Sequence, residues 1–198
     1  MQACMPGLTS FTLRNHRYDA LSGLMPNDDF VWTSGGGEMG GMVRSLDWSR
    51  TALGTLQTWP QSLRTTISTC LSSRFPILIL WGPELVMIYN DALARIIGNK
   101  HPRAMGQPAA EGWVEVWHVL GPMVTSVFHG GASTWSENQR LDIERTAKSG
   151  YLEETYFTFS YSPIRDESGG IGGVFCAVSV TGLRSGFGFP CACFSAFT

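Results

Sequence analysis

EETYFTFSYSPIRDESGGIGGVF, Glu153–Phe175, alternates cleanly through its first half. Phe157, Phe159 and Tyr161 fall on one side of an extended chain, and Thr158, Ser160 and Ser162 on the other. Successive side chains of a strand point to opposite faces, so this segment reads as a strand with one aromatic face and one hydroxyl face. The aromatic face needs a cover, either core, a bound ligand or another protein. RDESGG, which follows, supplies the residues of a tight turn, with Gly free to take positive φ. The next run, IGGVFCAVSVTG, is apolar on both sides. Val174, Cys176, Val178 and Val180 share one face, and Ile171, Phe175 and Ala177 the other, the pattern of a central strand covered on both faces.

Working outward, STWSENQRLDIER reads as the strand before this hairpin. Its charged run Arg140, Asp142, Glu144 and Arg145 suits a solvated sheet edge. Glu153 and Glu154 are adjacent in a strand, point to opposite faces and cannot serve as paired catalytic carboxylates. Upstream, FPILILW at Phe75–Trp81 and LVMIY at Leu85–Tyr89 flank a Gly82-Pro83 turn, making a second hairpin. Asn90 or Asp91 caps the helix that ends at Gly98. GNKHPRAMGQPAAEGW admits only short helical turns. The longest helical candidate runs from Trp113, with Trp113, Val116, Trp117 and Leu120 on one face before Gly121-Pro122. The economical assembly is α+β: a five-stranded antiparallel sheet, short helices on one face, and a helical extension in front.

That extension contains PQSLRTTISTCL, where Leu63, Ile67, Cys70 and Leu71 recur at three- and four-residue steps. A helix beginning near Pro60 must lay this stripe against something. If the cover is a partner subunit, Leu63→Asp or Ile67→Asp should yield monomers. Ahead of it, SGGGEMGG at Ser34–Gly41 reads as a flexible tether. A phosphate-cradling loop would need a preceding strand, a following helix and usually a Lys-Ser or Lys-Thr pair, and none of these is read here. The expected organisation is a poorly ordered segment over 1–41, the extension over 42–74, a sensor-sized domain over 75–181 and a divergent tail over 182–198.

Bulk properties narrow the function. The 198 residues are 43% hydrophobic and 15% charged, with a net charge of -2, which gives no electrostatic reason to expect nucleic acid. No apolar run approaches the roughly 20 residues that span a bilayer, and no signal peptide is evident, so a cytoplasmic location is the default. Cys4, Cys70 and Cys176 are isolated, and Cys191-Ala-Cys193 fits neither a zinc nor a redox spacing. His101, His118 and His129 form no metal-ligand spacing: His101 reads as a loop residue contacting backbone, His118 as a rim residue and His129 as a helix-end cation. No Ser–His–Asp or Cys–His constellation stands out.

The words DWSRTALGTLQTWPQSLR (Asp47–Arg64), WGPELVMIYNDA (Trp81–Ala92), GNKHPRAMGQPAAEGWVEVW (Gly98–Trp117) and the opening hairpin together resemble a PAS domain of the kind found at the front of bacterial sensor histidine kinases. The resemblance covers about residues 38–181. It implies a sensory or interaction module whose sheet and helices enclose a small cavity, and whose outer sheet face or preceding helix contacts a homodimer mate or signalling partner. The implied ligand-binding residues are Tyr89, Asn90, Trp113, Trp117, Phe157, Phe159, Tyr161 and Cys176, suited to a small apolar ligand. For Asn90 the competing role is capping, and for the aromatics it is core packing.

The chain departs from the family after Thr181, where GLRSGFGFPCACFSAFT carries no helical period and no phosphoacceptor His. The expectation is therefore a module that is not a kinase by itself, with the input end of a sensor kinase as the alternative. A flavin- or haem-loaded photoreceptor or redox sensor is the third reading. Adduct-forming flavin chemistry would need a Cys in a helix word resembling Asn-Cys-Arg-Phe-Leu, which is absent, and haem would need an axial His, for which only His118 offers itself. No cofactor is expected.

Overall fold

A computed structural model describes residues 28–144 and 152–184. The elements are α1 (Gly37–Ser45), α2 (Gln61–Ser72), β1 (Ile77–Trp81), β2 (Val86–Tyr89), α3 (Asp91–Ile97), α4 (Ala109–Gly112), α5 (Trp117–Phe128), β3 (Thr134–Ile143), β4 (Glu153–Arg165) and β5 (Ile171–Arg184), joined by short 3-10 turns. The five strands form one antiparallel sheet in the order β2-β1-β5-β4-β3. The opening stretch is thus the β4–β5 hairpin at the sheet's centre, closed by Asp166, whose Oδ1 accepts the N–H groups of Ser168 and Gly170.

Alternation assigns the two faces. Leu78, Cys176 and Tyr161 are cross-strand neighbours and all buried, as are Phe157, Phe159, Val178 and Val180 on the same side. This inner face meets α3 and α5. The hydroxyl residues Thr158, Ser160 and Ser162 lie on the outer face and are half-buried. β5 is central as expected, but its outer face is not closed over: Ile171, Phe175 and Ala177 are only half-buried. The cover on that side stops at β1 and β2, where Ile79 and Ile88 pair with each other and are fully buried.

α2 supplies that cover. Its Leu63, Ile67, Cys70 and Leu71 stripe is buried within the chain, Leu63 and Ile67 at 0% exposure, and the Cys70 thiol points at the Ile77 carbonyl. The stripe is intramolecular core, so it is not free to form a partner surface, which corrects the expectation that Leu63→Asp or Ile67→Asp yields a folded monomer. Burying one such side chain contributes roughly 1.5–3 kcal/mol. An aromatic knot holds the extension together. Trp48 packs edge-on to Trp59 at 4.8 Å, Trp32 sits 5.8 Å from Trp59, and the Trp48 indole N–H donates to the Val43 carbonyl at 2.7 Å.

Three further expectations shift. Gly37–Gly41, taken as tether, are the first half of α1, because the run gains tertiary partners that its composition does not advertise. The long helix starts at Trp117, leaving Trp113 in the turns before it, and continues through Pro122. β5 runs on to Arg184, past Gly182, where the run read as its strand ends. The segment 1–27, Cys4, Arg145 and the tail with Cys191 and Cys193 lie outside the described residues.

Both sheet edges are irregular. β3 carries a bulge between Ser136 and Gln139, where Asn138 takes a φ of 50° and donates its N–H to the Thr158 hydroxyl at 3.1 Å. At the other edge, β2 is four residues long. The chain from Gly106 to Ala109 bonds along it, through Met87 N–H to the Gln107 carbonyl, Gly106 N–H to the Met87 carbonyl, and Ala109 N–H to the Leu85 carbonyl.

Candidate functional site

Between the inner sheet face and the helices lies an apolar cavity of about 50 Å³. The sheet contributes Leu78, Phe157, Phe159, Tyr161, Cys176 and Val178, with Leu141 and Ile143 from β3. The helical side contributes Leu93, Ile96 and Ile97 from α3, Leu120 from α5, and Trp113. Phe159 and Tyr161 lie side by side along β4 with ring centroids 5.2 Å apart and their planes tilted by 60°.

Five of the eight sequence-predicted residues meet here: Trp113, Phe157, Phe159, Tyr161 and Cys176. The other three do not line the cavity. Asn90 is 1% exposed and fully engaged with the fold. Its Oδ1 accepts the N–H groups of Leu93 (3.1 Å) and Ile77 (3.2 Å), and its Nδ2 donates to the carbonyls of Phe75 (2.8 Å), Cys70 and Ser73 (3.1 Å each). It caps α3 and pins the α2–β1 connection, with no valence left for a ligand. Tyr89 is fully buried, with its Oη 3.1 Å from His101 Nδ1. Trp117 packs against Gly121, where a Cβ would come within 2.9 Å of the indole. His101 also departs from its expected backbone contact, because its second nitrogen lies 3.3 Å from Glu38 Oε1 on α1. The aliphatic lining was missed. Its signal was the Leu93, Ile96, Ile97 spacing within ALARII, one helical stripe of the kind read for α2.

The electrostatics are those of a dry interior. Burial raises the Tyr161 phenol and the Cys176 thiol well above their ordinary values, and pushes the Cys70 thiol up to about 12, so all three are protonated and neutral near pH 7. The Trp113 indole N–H is buried without a hydrogen-bond partner. Lys100 braces the mouth of this region. Its ammonium lies 5.4 Å over the Trp113 ring, 2.6 Å from Glu115 Oε1 and 3.0 Å from the Gly112 carbonyl. This ion pair, with Arg103, Glu111 and Glu144, rims an open depression of about 380 Å³ with charged walls.

Size decides what the cavity accepts. A void needs only about 10–15 Å³ to admit a water-sized body, whereas pockets for drug-sized ligands and cofactors run to about 300 Å³ or more. At about 50 Å³, the cavity as packed fits a ligand of a few heavy atoms and does not fit a flavin or a haem. Its lining offers no carboxamide or imidazole to anchor either ring. Among the described residues, no group of three or more His, Cys, Asp or Glu side chains is placed to hold a metal ion, and no helix is long and apolar enough to cross a membrane.

No family model matches the chain, and no curated relative matches it. Solved structures do. A sensory box sensor histidine kinase from Vibrio cholerae aligns with 18% identity and a TM-score of 0.42, over 60% of this chain and 89% of that one. An RNA-binding light-oxygen-voltage receptor aligns with 17% identity and a TM-score of 0.43, over 64% of this chain and 35% of its own length. A fungal LOV domain photoreceptor aligns with 16% identity and a TM-score of 0.39, over 78% and 99%. The chain itself has an antiparallel sheet ordered β2-β1-β5-β4-β3, helices on its inner face and a small cavity between them, the PAS-like fold that its sequence words imply.

Proposed function

We propose that this chain is a PAS-type sensory module that binds a small, mostly apolar ligand and signals through conformational change, without catalysis of its own. The observation that carries this reading is the apolar cavity between the aromatic face of β4 and the α3 stripe. Filling it alters the packing of α3 against β1 and β5, and a ligand that favours one packing shifts the population toward it. Trp113 supplies a buried, unpartnered indole N–H among the lining side chains, suited to a ligand with an acceptor atom. Neither flavin nor haem enters the proposal, because neither fits the volume.

Signalling further requires a second surface. The open part of the outer sheet face, where Trp135 is 69% exposed and aligned with Ser160 and Ala177, supports contact with a second copy or a signalling partner. Residues 75–181 form the sensor core in this reading, with the preceding helices as part of the same unit and the cytoplasm as its location. The test is methyl NMR under xenon pressure. Methyl signals of Leu93, Ile96 and Val178 should shift with pressure while those of Ile79 and Ile88, on the opposite face, stay still. Uniform or absent shifts would overturn the reading.

A further inference from the structure

Both helices of the N-terminal extension begin without a side-chain cap of their own: Gly36 stands at the cap of α1 and Pro60 at that of α2. Each takes a carboxylate from the PAS-like core instead. Glu167, in the β4–β5 turn, accepts the N–H of Ser62 at 2.7 Å and its hydroxyl at 3.0 Å. Asp91 accepts the N–H of Met39 at 2.8 Å through Oδ1 and that of Glu38 at 3.3 Å through Oδ2. The glycine run is shaped around this second carboxylate. Gly37 has a φ of 58°, and a Cβ there would lie 1.9 Å from Asp91 Oδ2. SGGGEMGG is therefore an anion cradle after all, and its anion is a side chain of the same protein.

Asp91 is also the first residue of α3, the helix whose Leu93, Ile96 and Ile97 line the cavity. Seven residues of helix, with Asn90 fixing the start, leave no loop between the cavity wall and the carboxylate. A displacement of the wall carries the α1 anchor with it. A second polar link from core to α1, beside the buried Met39 and Val43, runs through His101 to Glu38, but the Glu38 side chain is 72% exposed, and such contacts contribute little.

We infer that Asp91 is a positioning residue that couples the packing of the cavity wall to the docking of α1, making the N-terminal helices the output element of the module. The inference deepens the sensory reading and takes its biological meaning from it, yet the coupling can be measured with no ligand present.

Hydrogen exchange of the α1 amides, normalised to those of β4, provides the measurement on the full chain. Leu93→Val, which trims the wall, should lower α1 protection roughly two- to fivefold, the range that a charge at a helix N-terminus supplies. In an Asp91→Ala background the same change should lower it no further. Asp91→Asn, which keeps one acceptor, should restore part of the response and guards against misreading a folding defect. Fold-changes that multiply in the double variant would overturn the coupling, as would an α1 indifferent to Leu93→Val. Xenon results that reject the ligand reading leave this measurement decisive, and a multiplicative result leaves the ligand reading intact.

Discussion

Asn90→Ala against Asn90→Asp separates a structural amide from a simple helix cap. The side chain makes five hydrogen bonds in a site that is 1% exposed. Each such bond contributes about 0.5–1.5 kcal/mol net, and buried groups left unpaired cost more. Some partners keep second bonds: the Leu93 N–H also reaches the Asn90 carbonyl, and the Cys70 carbonyl also accepts from Ser73 N–H. Counting those as half lost, Asn90→Ala should cost roughly 3–5 kcal/mol, a large share of the about 5–15 kcal/mol of a whole domain. Asp is as good a helix cap as Asn, so if capping were the whole role, Asn90→Asp would be nearly neutral. The geometry says otherwise, because Asp retains the two acceptor bonds but turns a carboxylate onto the carbonyls of Cys70, Ser73 and Phe75. Urea unfolding should therefore show Asn90→Asp at least as destabilised as Asn90→Ala, through a lower midpoint at unchanged slope. An Asp variant within about 1 kcal/mol of the parent would refute the three-carbonyl argument and reopen Asn90 as a residue available to a ligand.

Leu63→Asp places a charge at 0% exposure under the outer face of the sheet, so cooperative unfolding monitored by circular dichroism should be lost or shifted by several kcal/mol. A folded monomer from a dimeric parent would contradict the intramolecular packing. Glu167 gives a pH signature. The bonds from Ser62, the backbone N–H foremost, hold its carboxyl below the ordinary Glu value. A depressed folded-state pKa contributes stability that is complete above the unfolded pKa of about 4.3 and disappears as pH falls through the folded value. The stability advantage of the parent over Glu167→Gln should therefore be steady near pH 7 and shrink below about pH 4, and an advantage that grows on acidification would sink the trans-cap account.

The sheet was legible because period-two patterning is local. Phe157, Phe159 and Tyr161 announce their shared face in five consecutive residues, and the same alternation orders β5. The face that turns inward was not legible, since it depends on α3 and α5 arriving from elsewhere in the chain. α1 was hidden for a related reason. Its start signal is not a Ser or Asp one residue upstream but Asp91, more than fifty positions away, so glycines that read as a tether are the space that a distant carboxylate requires. The α2 stripe was found residue for residue, yet periodicity says only that a face is covered and never by which chain. Tyr89, Asn90 and Trp117 stand beside the cavity in sequence without lining it, because strand ends and helix starts there point into capping and packing contacts instead.

The edges of the sheet constrain how two such modules can meet. β2 already has the Gly106–Ala109 backbone hydrogen-bonded along its length, and β3 is interrupted at Asn138 and studded with Glu137, Arg140 and Asp142. Neither border offers the uninterrupted ladder that strand addition needs. Assemblies built by extending this sheet sideways, and the fibrous aggregation that follows from them, are therefore disfavoured by construction. A mate would have to arrive broadside, over Trp135 and Phe175, and any such pairing should tolerate backbone changes at the rims while being abolished by a charge placed in the middle of the open face.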